Sequence, residues 1–146
     1  MKLTIETSVE QDYLSVKEGF NKSLFTKLSP PFPPVKLLRF DGSAKGDIVS
    51  LELNFIFFKQ KWTSEITDDQ TDDKEFYFID KGVELPFFLS KWTHKHRIVK
   101  SGSGSVIKDE IEYESPFFLL TWLLYPAMLG QFAYRKPIYK KIFKLS

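Results

Sequence analysis

The 146-residue sequence contains no cysteine and only two histidines. The absence of cysteine excludes disulfide bridges, thiolate metal sites and cysteine nucleophiles. Because His94 and His96 are the only imidazoles, a metal site would need further ligands of other types, and we predict no metal and no cofactor. The formal net charge is only +2, which gives no indication of a nucleic-acid partner.

The beginning of the chain also lacks the long apolar core of a signal peptide, since Met1–Glu6 alternates apolar and polar residues. We therefore expect a cytoplasmic protein. One uncharged run, Phe117–Tyr134, approaches the length of a membrane span. Because Thr121, Pro126 and Gln131 interrupt it, we interpret this run as a buried or interfacial helix.

The most informative feature that is present is a predicted hairpin, Trp92–Tyr113. Side chains alternate across a strand, so every second residue shares a face. The inward face carries Trp92, His94, His96, Ile98, Ile107, Asp109, Ile111 and Tyr113. This face is too polar for an ordinary core and is typical of the wall of an internal cavity. A turn at Ser101–Gly104 sets lysines opposite glutamates on the outer face and pairs His96 with Asp109, which we predict to be hydrogen-bonded.

The residues before this hairpin predict further strands and two short helices. Lys2–Ser8 has strand alternation, and Glu10–Leu28 has helical spacing divided by Gly19. The proline-rich segment Ser29–Pro34 is predicted to be a stiff connector, with a rigid lip at a cavity mouth as the alternative.

From Val35 to Glu114 the sequence indicates strands that follow one another through short turns, which is typical of an antiparallel meander. The acidic segment Asp68–Asp73 lacks the glycine and terminal glutamate of a calcium-binding loop, so we interpret it as a solvated loop. No internal repeat or linker is present. We predict a single α+β domain over residues 1–146.

The C-terminal stretch changes to helical spacing. Pro126 is predicted to start a helix, and Pro137 is predicted to kink it by removing a backbone donor. The apolar stripe of this helix contains Phe132, Tyr139 and Phe143, and the opposite side carries Lys136, Lys140 and Lys144. The lysines are therefore expected to face solvent.

Arg135 is the one charged residue on the apolar stripe. An inward guanidinium needs a carboxylate, a carbonyl or an anionic ligand. The sequence leaves two alternatives open. Arg135 either contacts the head group of a ligand or forms an internal ion pair with Asp80 or Asp109.

The order of these elements, together with several short motifs, resembles the helix-grip fold of the START-like or SRPBCC superfamily. The motifs are Trp62…Ile66, Phe78-Ile79-Asp80, Trp92-Thr93-His94-Lys95-His96, Asp109-Glu110-Ile111-Glu112-Tyr113-Glu114-Ser115-Pro116-Phe117 and Phe132-Ala133-Tyr134-Arg135. They are similar to the pattern of the bacterial ligand-binding SRPBCC subgroup; the superfamily also includes Bet v 1-type proteins and polyketide cyclases. The resemblance implies a curved antiparallel sheet wrapped around a long C-terminal helix, with two short helices after the first strand and a cavity between sheet and helix. Pro137 and the aromatic run Phe117–Tyr125 depart from the pattern.

Three functional hypotheses follow. The first is non-catalytic binding, transport or sensing of a small hydrophobic molecule, such as a lipid or polyketide, with a polar or anionic head group. The second is a cyclase-, dehydratase- or hydrolase-like enzyme that uses His96 and Asp109 as an acid/base pair. The third is lipid handling at a membrane surface through Phe117–Tyr125 and the lysines. The chain is expected to be a monomer or a homodimer.

The candidate ligand-binding residues combine the inward face of the hairpin with the residues that the resemblance adds. They are Phe78, Asp80, Trp92, His94, His96, Asp109, Tyr113, Phe132, Arg135 and Tyr139. A metal bound by His94, His96 and Asp109 is the other chemical possibility for this face, but two histidines that hydrogen-bond to a carboxylate and to a hydroxyl or water explain the pattern more simply.

Overall fold

A computed structural model describes residues 1–146 as a curved seven-stranded sheet packed against four helices. The strands are β1 (Lys2–Val9), β2 (Val35–Phe40), β3 (Ile48–Asn54), β4 (Lys59–Thr71), β5 (Glu75–Glu84), β6 (Lys91–Ser101) and β7 (Gly104–Glu114). The helices are α1 (Tyr13–Gly19), α2 (Lys22–Lys27), α3 (Phe118–Ala133) and α4 (Arg135–Ile142). The strand order is β1-β7-β6-β5-β4-β3-β2, so β1 joins the far edge of an otherwise sequential meander.

The register predicted for the β6–β7 hairpin is confirmed. Trp92 lies opposite Tyr113, and His96 lies opposite Asp109. Along both strands every second residue is buried, as the alternation of polar and apolar positions predicts. The turn joins Ser101 to Gly104, and Gly102 within it adopts a φ of 59°, which glycine tolerates better than other residues. Turn chemistry and face alternation therefore select the same register.

The two short helices after β1 are also confirmed, and each has a local start signal. The Asp12 side chain accepts hydrogen bonds from the backbone N–H groups of Leu14 and Ser15. The Asn21 side chain accepts from the N–H of Leu24. Such N-caps satisfy donors that the first helical turn leaves unpaired. The result is two separate helices rather than one long helix.

The acidic loop predicted at Asp68–Asp73 is wrong for most of its length. Residues 68–71 continue β4, and only Asp72, Asp73 and Lys74 form the connection to β5. The Tyr77 hydroxyl contacts the side chains of Asp68 and Gln70 at 3.1 and 2.9 Å. Backbone pairing with β5 and these side-chain contacts outweigh the low strand propensity of aspartate.

The predicted helix start at Pro126 is wrong, because α3 begins eight residues earlier at Phe118 and contains Pro126 in its interior. The Tyr113 hydroxyl donates to the Thr121 carbonyl at 2.9 Å, and the Ser115 N–H donates to the Thr121 hydroxyl at 3.0 Å. These bonds fix the first turns of α3 to the end of β7. Leucines favour helix in this segment. No helix has both the length and the apolar character needed to cross a membrane.

The interruption expected from Pro137 is present as a one-residue gap at Tyr134 between α3 and α4, and the backbone of Tyr134 itself keeps helical dihedral angles. Helix α3 ends at Ala133, the residue whose carbonyl would have paired with the missing N–H of Pro137. Helix α4 then starts at Arg135, so Pro137 lies in its first turn, where no donor is needed. The expected faces are also confirmed, because Phe132, Tyr139 and Phe143 are buried whereas Lys136, Lys140 and Lys144 are exposed.

The buried core has two parts. The larger cluster lies where α1, α2 and α4 meet the sheet and includes Val16, Phe20, Phe78, Ile107, Tyr139 and Phe143. The smaller cluster lies between α3 and strands β1, β6 and β7 and includes Leu3, Trp92, Ile111, Tyr113, Met128 and Phe132. Residues from both clusters line a cavity between the sheet and the helices.

Candidate functional site

The cavity has a volume of about 650 Å³ and a mostly hydrophobic lining. Strands β2 to β6 form one wall, and α3 with the start of α4 forms the opposite wall. The proline-rich segment 29–33 lines the cavity as well, which supports the alternative interpretation of that segment as a lip. The sequence did not identify the aromatic residues Phe25, Phe55, Trp62 and Phe88, which also line it. Their convergence on one cavity from α2, β4 and two loops depends on long-range packing that no local pattern reveals.

Two histidines and two aspartates form a buried polar cluster on the sheet side. His94 Nε2 lies 2.8 Å from Asp109 Oδ1, and His96 Nε2 lies 2.8 Å from Asp80 Oδ2. Asp80 Oδ1 also accepts a hydrogen bond from the Trp92 indole at 3.0 Å. Because an ionised carboxylate only accepts hydrogen bonds, each histidine must carry its proton on Nε2. Both imidazoles are therefore held to the aspartates through a protonated Nε2.

The predicted hydrogen bond between His96 and Asp109 is wrong, although the register that suggested it is confirmed. The nearest nitrogen of His96 lies 3.7 Å from Asp109, and Asp109 binds His94 instead. Asp80 lies opposite His94 in the β5–β6 register but binds His96. Both pairs thus run diagonally across the strands, a reach that long side chains have.

Stacking of the imidazoles accompanies this crossed arrangement. The rings of His94 and His96 lie 3.5 Å apart at 28°, and Phe78 stacks on the other side of His96 at 4.2 Å. Phe132 of α3 meets His94 edge-on at 5.2 Å. Aromatic contacts therefore enclose both imidazoles and limit how their side chains rotate.

The environment shifts the pKa values of three members of the cluster. Burial, followed by the charge of His94, lowers the pKa of His96 to about 4 in spite of its bond to Asp80. Burial raises the pKa values of Asp80 and Asp109, but hydrogen bonds from the histidines and nearby positive charge outweigh it and hold both below the ordinary value. At neutral pH the cluster thus contains two carboxylates and a neutral His96.

The helix side of the cavity carries a guanidinium without a protein partner. Arg135 lines the cavity, and neither its buried Nε nor its buried Nη1 has a hydrogen-bond partner. The internal ion pair with Asp80 or Asp109, one of the two alternatives from the sequence, is not formed. Arg135 instead lies over the ring of Phe132, with Cζ 4.5 Å from the ring centroid. A half-buried cation with two unpaired donors lowers the stability of the fold unless a ligand or water accepts hydrogen bonds from these donors.

The Tyr139 hydroxyl is a second buried polar group on this side; it lies near Arg135 but makes no hydrogen bond of good geometry. Its side chain is fully buried, and burial together with the charge of Asp109 raises the pKa of the phenol, while Arg135 opposes that rise. The phenol therefore stays protonated at any physiological pH and can donate a hydrogen bond.

Seven of the ten candidate residues line the cavity, and three do not. The lining residues are Phe78, Asp80, Trp92, His94, His96, Phe132 and Arg135. Tyr113 is a correction, since its hydroxyl donates to the Thr121 carbonyl and fixes α3 to β7. Asp109 lies behind His94, and Tyr139 is enclosed by the stacked rings of Phe20 and Phe143. Sequence spacing predicts which face of a strand or helix a residue occupies. It does not predict whether the side chain reaches the cavity or lies deeper in the core.

The donor set does not fit a metal ion well, although ligand atoms of Asp80, His94 and His96 lie within 4.8 Å of one another. A metal binds imidazole nitrogen in the plane of the ring at about 2.1 Å. The rings of His94 and His96 are stacked with centroids 3.5 Å apart at 28°, so their planes converge only several ångströms away, and both Nε2 atoms already bind carboxylates. Binding would require the stacked rings to separate.

Solved structures with the same architecture come from plants and bacteria. Norcoclaurine synthase from Thalictrum flavum superposes with a TM-score of 0.68 over 97% of this chain and 85% of its own, at 14% identity. The chain has the Bet v 1-like helix-grip fold. The fold implied by the resemblance to the START-like or SRPBCC superfamily is thereby confirmed.

Two further structures share this helix-grip fold. The ginseng major latex-like protein 151 from Panax ginseng has a TM-score of 0.60 and 17% identity, covering 95% of this chain and 97% of its own. The aromatase/cyclase Zhui from a Streptomyces species has a TM-score of 0.63 and 13% identity, covering 94% of this chain and 89% of its own. One structure of the norcoclaurine synthase is a complex with dopamine and hydroxybenzaldehyde. At these identities the likeness shows the fold alone.

Comparison with known sequences adds little to the evidence from the shared fold. No family model matches the chain. Serpin A11 of Rattus norvegicus is 31% identical over 85 residues, and Serpin A11 of Mus musculus is 29% identical over a segment of the same length. These matches cover 58% of this chain, and the chain spans about 20% of the length of these curated relatives. Such a partial match assigns no function.

Proposed function

We propose that this protein binds, without chemical turnover, a small and largely apolar molecule whose polar or anionic head group meets Arg135. The observation that carries the proposal is the unpartnered guanidinium of Arg135 at the wall of an apolar cavity. A volume of about 650 Å³ lies within the usual range for small-molecule sites. Phe78, Trp92 and Phe132 supply the aromatic wall for the body of the ligand.

The electrostatics of the cavity favour a head group on the helix side. Asp109 does not line the cavity, and both carboxylate oxygens of Asp80 already accept hydrogen bonds from Trp92 and His96. Arg135 is the one guanidinium that lines the cavity, and its donors are unused. A carboxylate or a similar anion would satisfy these donors with charge-assisted hydrogen bonds. The small-molecule complex of the norcoclaurine synthase, a protein of the same fold, is consistent with this use of the cavity.

A matched pair of ligands tests the proposal. Native mass spectrometry of freshly purified protein is used first to detect any co-purified molecule. Calorimetric titration then compares decanoate with decan-1-ol, which share the chain but differ in charge. We expect decanoate to bind about tenfold to a hundredfold more tightly, because a charged hydrogen bond is worth about 1.5–3 kcal/mol. Equal affinities, or no binding of either, would contradict the anionic head group.

An acid/base enzyme is the second candidate, because His96 lines the cavity and its Nδ1 has no hydrogen-bond partner. The dyad would be His96–Asp80 rather than the His96–Asp109 pair suggested by the sequence. A histidine whose pKa is about 4 is a weak base at neutral pH, which favours binding over catalysis. A time course of liquid chromatography with mass detection after adding the co-purified molecule separates the two, because only an enzyme converts that molecule into a species of different mass or retention time.

A further inference from the structure

Helix α3 is apolar on its outward side as well as on its inward side. Of its 16 residues none is charged, and only Met128 and Phe132 are buried. Phe118, Leu119 and Leu123 are 80, 68 and 66% exposed, and Trp122 is 56% exposed. Isolated apolar residues are normal on protein surfaces, but a contiguous group of large ones marks an interaction site. A helix that is apolar all round is normally enclosed by protein or lipid.

The outward side of α4 continues this surface with lysines. The buried residues Met128, Phe132, Tyr139 and Phe143 follow helical spacing across the break at Tyr134. Both helices therefore keep one side against the sheet and the other towards solvent. On the solvent side the first helix presents Phe118, Leu119, Trp122, Leu123 and Leu129, and the second presents Lys136, Lys140, Lys141 and Lys144. We call these nine residues the outer helical face.

Charge in the chain is divided unevenly around this face. After Glu114 the sequence contains five basic residues and no acidic residue, whereas the whole chain has a net charge of only +2. The segment that carries the outer helical face is therefore +5, and the preceding 114 residues total −3. A surface that combines exposed aromatic and leucine side chains with lysines matches a bilayer, where apolar groups enter the acyl boundary and lysines meet anionic head groups.

The outer helical face is also the back of the cavity wall. Leu124, Met128 and Gln131 of α3 line the cavity from the inner side of the same helix. Elsewhere on the cavity lining, a chain of aromatic rings extends from Phe32 through Phe55 and Phe58 to Phe87, with centroid separations of 5.2–6.3 Å. Phe32 and Phe55 line the cavity too. A molecule held in the cavity would thus lie one helix away from whatever covers the outer helical face.

We propose that the outer helical face docks this protein on the surface of a lipid bilayer that contains anionic head groups. A second copy of the chain fits this face less well. In a two-fold dimer through the whole face, lysines would meet apolar side chains or other lysines, since the face offers no carboxylate to pair with them. The docking does not depend on the cavity holding a ligand.

Co-sedimentation with vesicles tests the docking. Wild-type protein is mixed with vesicles of phosphatidylcholine alone or of phosphatidylcholine with phosphatidylglycerol. We expect binding to the anionic vesicles that weakens as salt is added. A triple variant, Lys136→Gln, Lys140→Gln and Lys144→Gln, should bind about a hundredfold more weakly. The matched control, Lys2→Gln, Lys36→Gln and Lys81→Gln, removes three exposed lysines elsewhere and should bind like wild type.

A second pair of variants tests the contribution of the apolar residues of the outer helical face. Leu119→Asn with Leu123→Asn should weaken vesicle binding about tenfold or more, whereas Leu38→Asn, on the exposed side of β2, should not. Trp122 emission should shift to shorter wavelength on binding, and Trp122→Phe should remove that shift while sedimentation persists. Far-ultraviolet circular dichroism confirms that each variant is folded.

Several results would overturn the docking. They are absence of sedimentation with anionic vesicles, equal losses in the two triple lysine variants, and a concentration-dependent dimer that the Leu119/Leu123 variant abolishes in protein that does not bind vesicles. Binding of decanoate in the cavity is measured without vesicles, so failure of the docking and failure of the proposed function are distinguishable.

Discussion

The two sides of the cavity differ in how completely their polar groups are paired. On the sheet side each of the four ionisable side chains, His94, His96, Asp80 and Asp109, has a partner 2.8 Å away, and only the second atoms His96 Nδ1 and Asp109 Oδ2 are unpaired. On the helix side Arg135 lines the cavity, and its buried Nε and Nη1 donors have no protein partner. Paired buried groups stabilise the fold they belong to, whereas unpaired ones cost free energy that a ligand can recover. The sheet side thus acts as scaffold, and the helix side is the place for recognition.

The largest expected effect comes from breaking the paired side. Asp109→Ala removes the acceptor of His94 from a fully buried position. We expect a loss of about 3–5 kcal/mol in the free energy of unfolding, the usual cost of removing one partner of a buried charged pair. Urea denaturation measures it, with the milder Asp109→Asn used if the alanine variant does not fold. A loss below about 1 kcal/mol would show that the pair is not part of the scaffold.

Glu110→Ala is the matched control for that experiment. Glu110 is the next residue on β7, points to the outer face and pairs with Arg97 at 3.1 Å. A half-exposed ion pair contributes about 1 kcal/mol or less. The contrast between neighbouring residues therefore isolates burial as the cause.

The second prediction concerns the pH dependence of stability, which the buried His96 on the sheet side should cause. Because its pKa is about 4 in the folded protein and 6.5 in the unfolded chain, the unfolded chain binds more protons between these values. Stability should therefore fall as the pH is lowered from about 6.5 to about 4, by roughly 3 kcal/mol in total. Below that window, protonation of Asp80 and Asp109 should lower it further, since their folded pKa values are also depressed.

Urea unfolding at several pH values measures this dependence, and His96→Gln should flatten it between pH 6.5 and 4. The two histidines can be followed by NMR, with each single variant assigning the other resonance. A His96 that titrates near 6.5, or a stability that does not change across the window, would contradict the assigned environment.

The third prediction concerns the unpaired side. Arg135→Leu keeps the apolar bulk and removes donors that no protein group uses. Stability should stay within about 1 kcal/mol of wild type, whereas affinity for decanoate should fall about tenfold to a hundredfold and affinity for decan-1-ol should stay the same. Unchanged decanoate affinity together with a marked loss of stability would make Arg135 part of the scaffold and remove the anionic head group from the proposal.

The same contrast explains which parts of the site the sequence can reveal. Alternation on β6 and β7 places His96 opposite Asp109, because register depends on strand periodicity and turn chemistry. It does not give the diagonal bonds, because these depend on how two stacked imidazoles orient relative to strands β5 and β7. The inward face of Arg135 follows from helical spacing, but its lack of a partner depends on distances across the cavity.

The errors in the fold have similar causes. Pro126 has the signal of a helix start, yet tertiary hydrogen bonds from Tyr113 and Ser115 begin α3 at Phe118. Asp68 has the composition of a loop, yet pairing with β5 extends the strand. Pro137, by contrast, acts through local sterics, and its effect on the helix was predicted correctly. The effect of a residue on the local backbone can be predicted from the sequence where no tertiary contact competes with it.

The smallest expected effect is on the outer side of the helices, away from both walls of the cavity. Lys136, Lys140 and Lys144 are exposed and form no ion pair. Replacing all three with glutamine should change the free energy of unfolding by less than about 1 kcal/mol, because exposed charges without close partners contribute little. Glutamine also retains helix propensity, so α4 itself should be unaffected.

Urea denaturation and decanoate titration check this prediction, and both the stability and the decanoate affinity should match those of wild type. Unfolding of the triple variant would mean that these lysines belong to the scaffold. Intact stability with intact cavity binding would instead confine their contribution to the solvent-facing surface of α4, the part of the molecule for which vesicle binding is the relevant measurement.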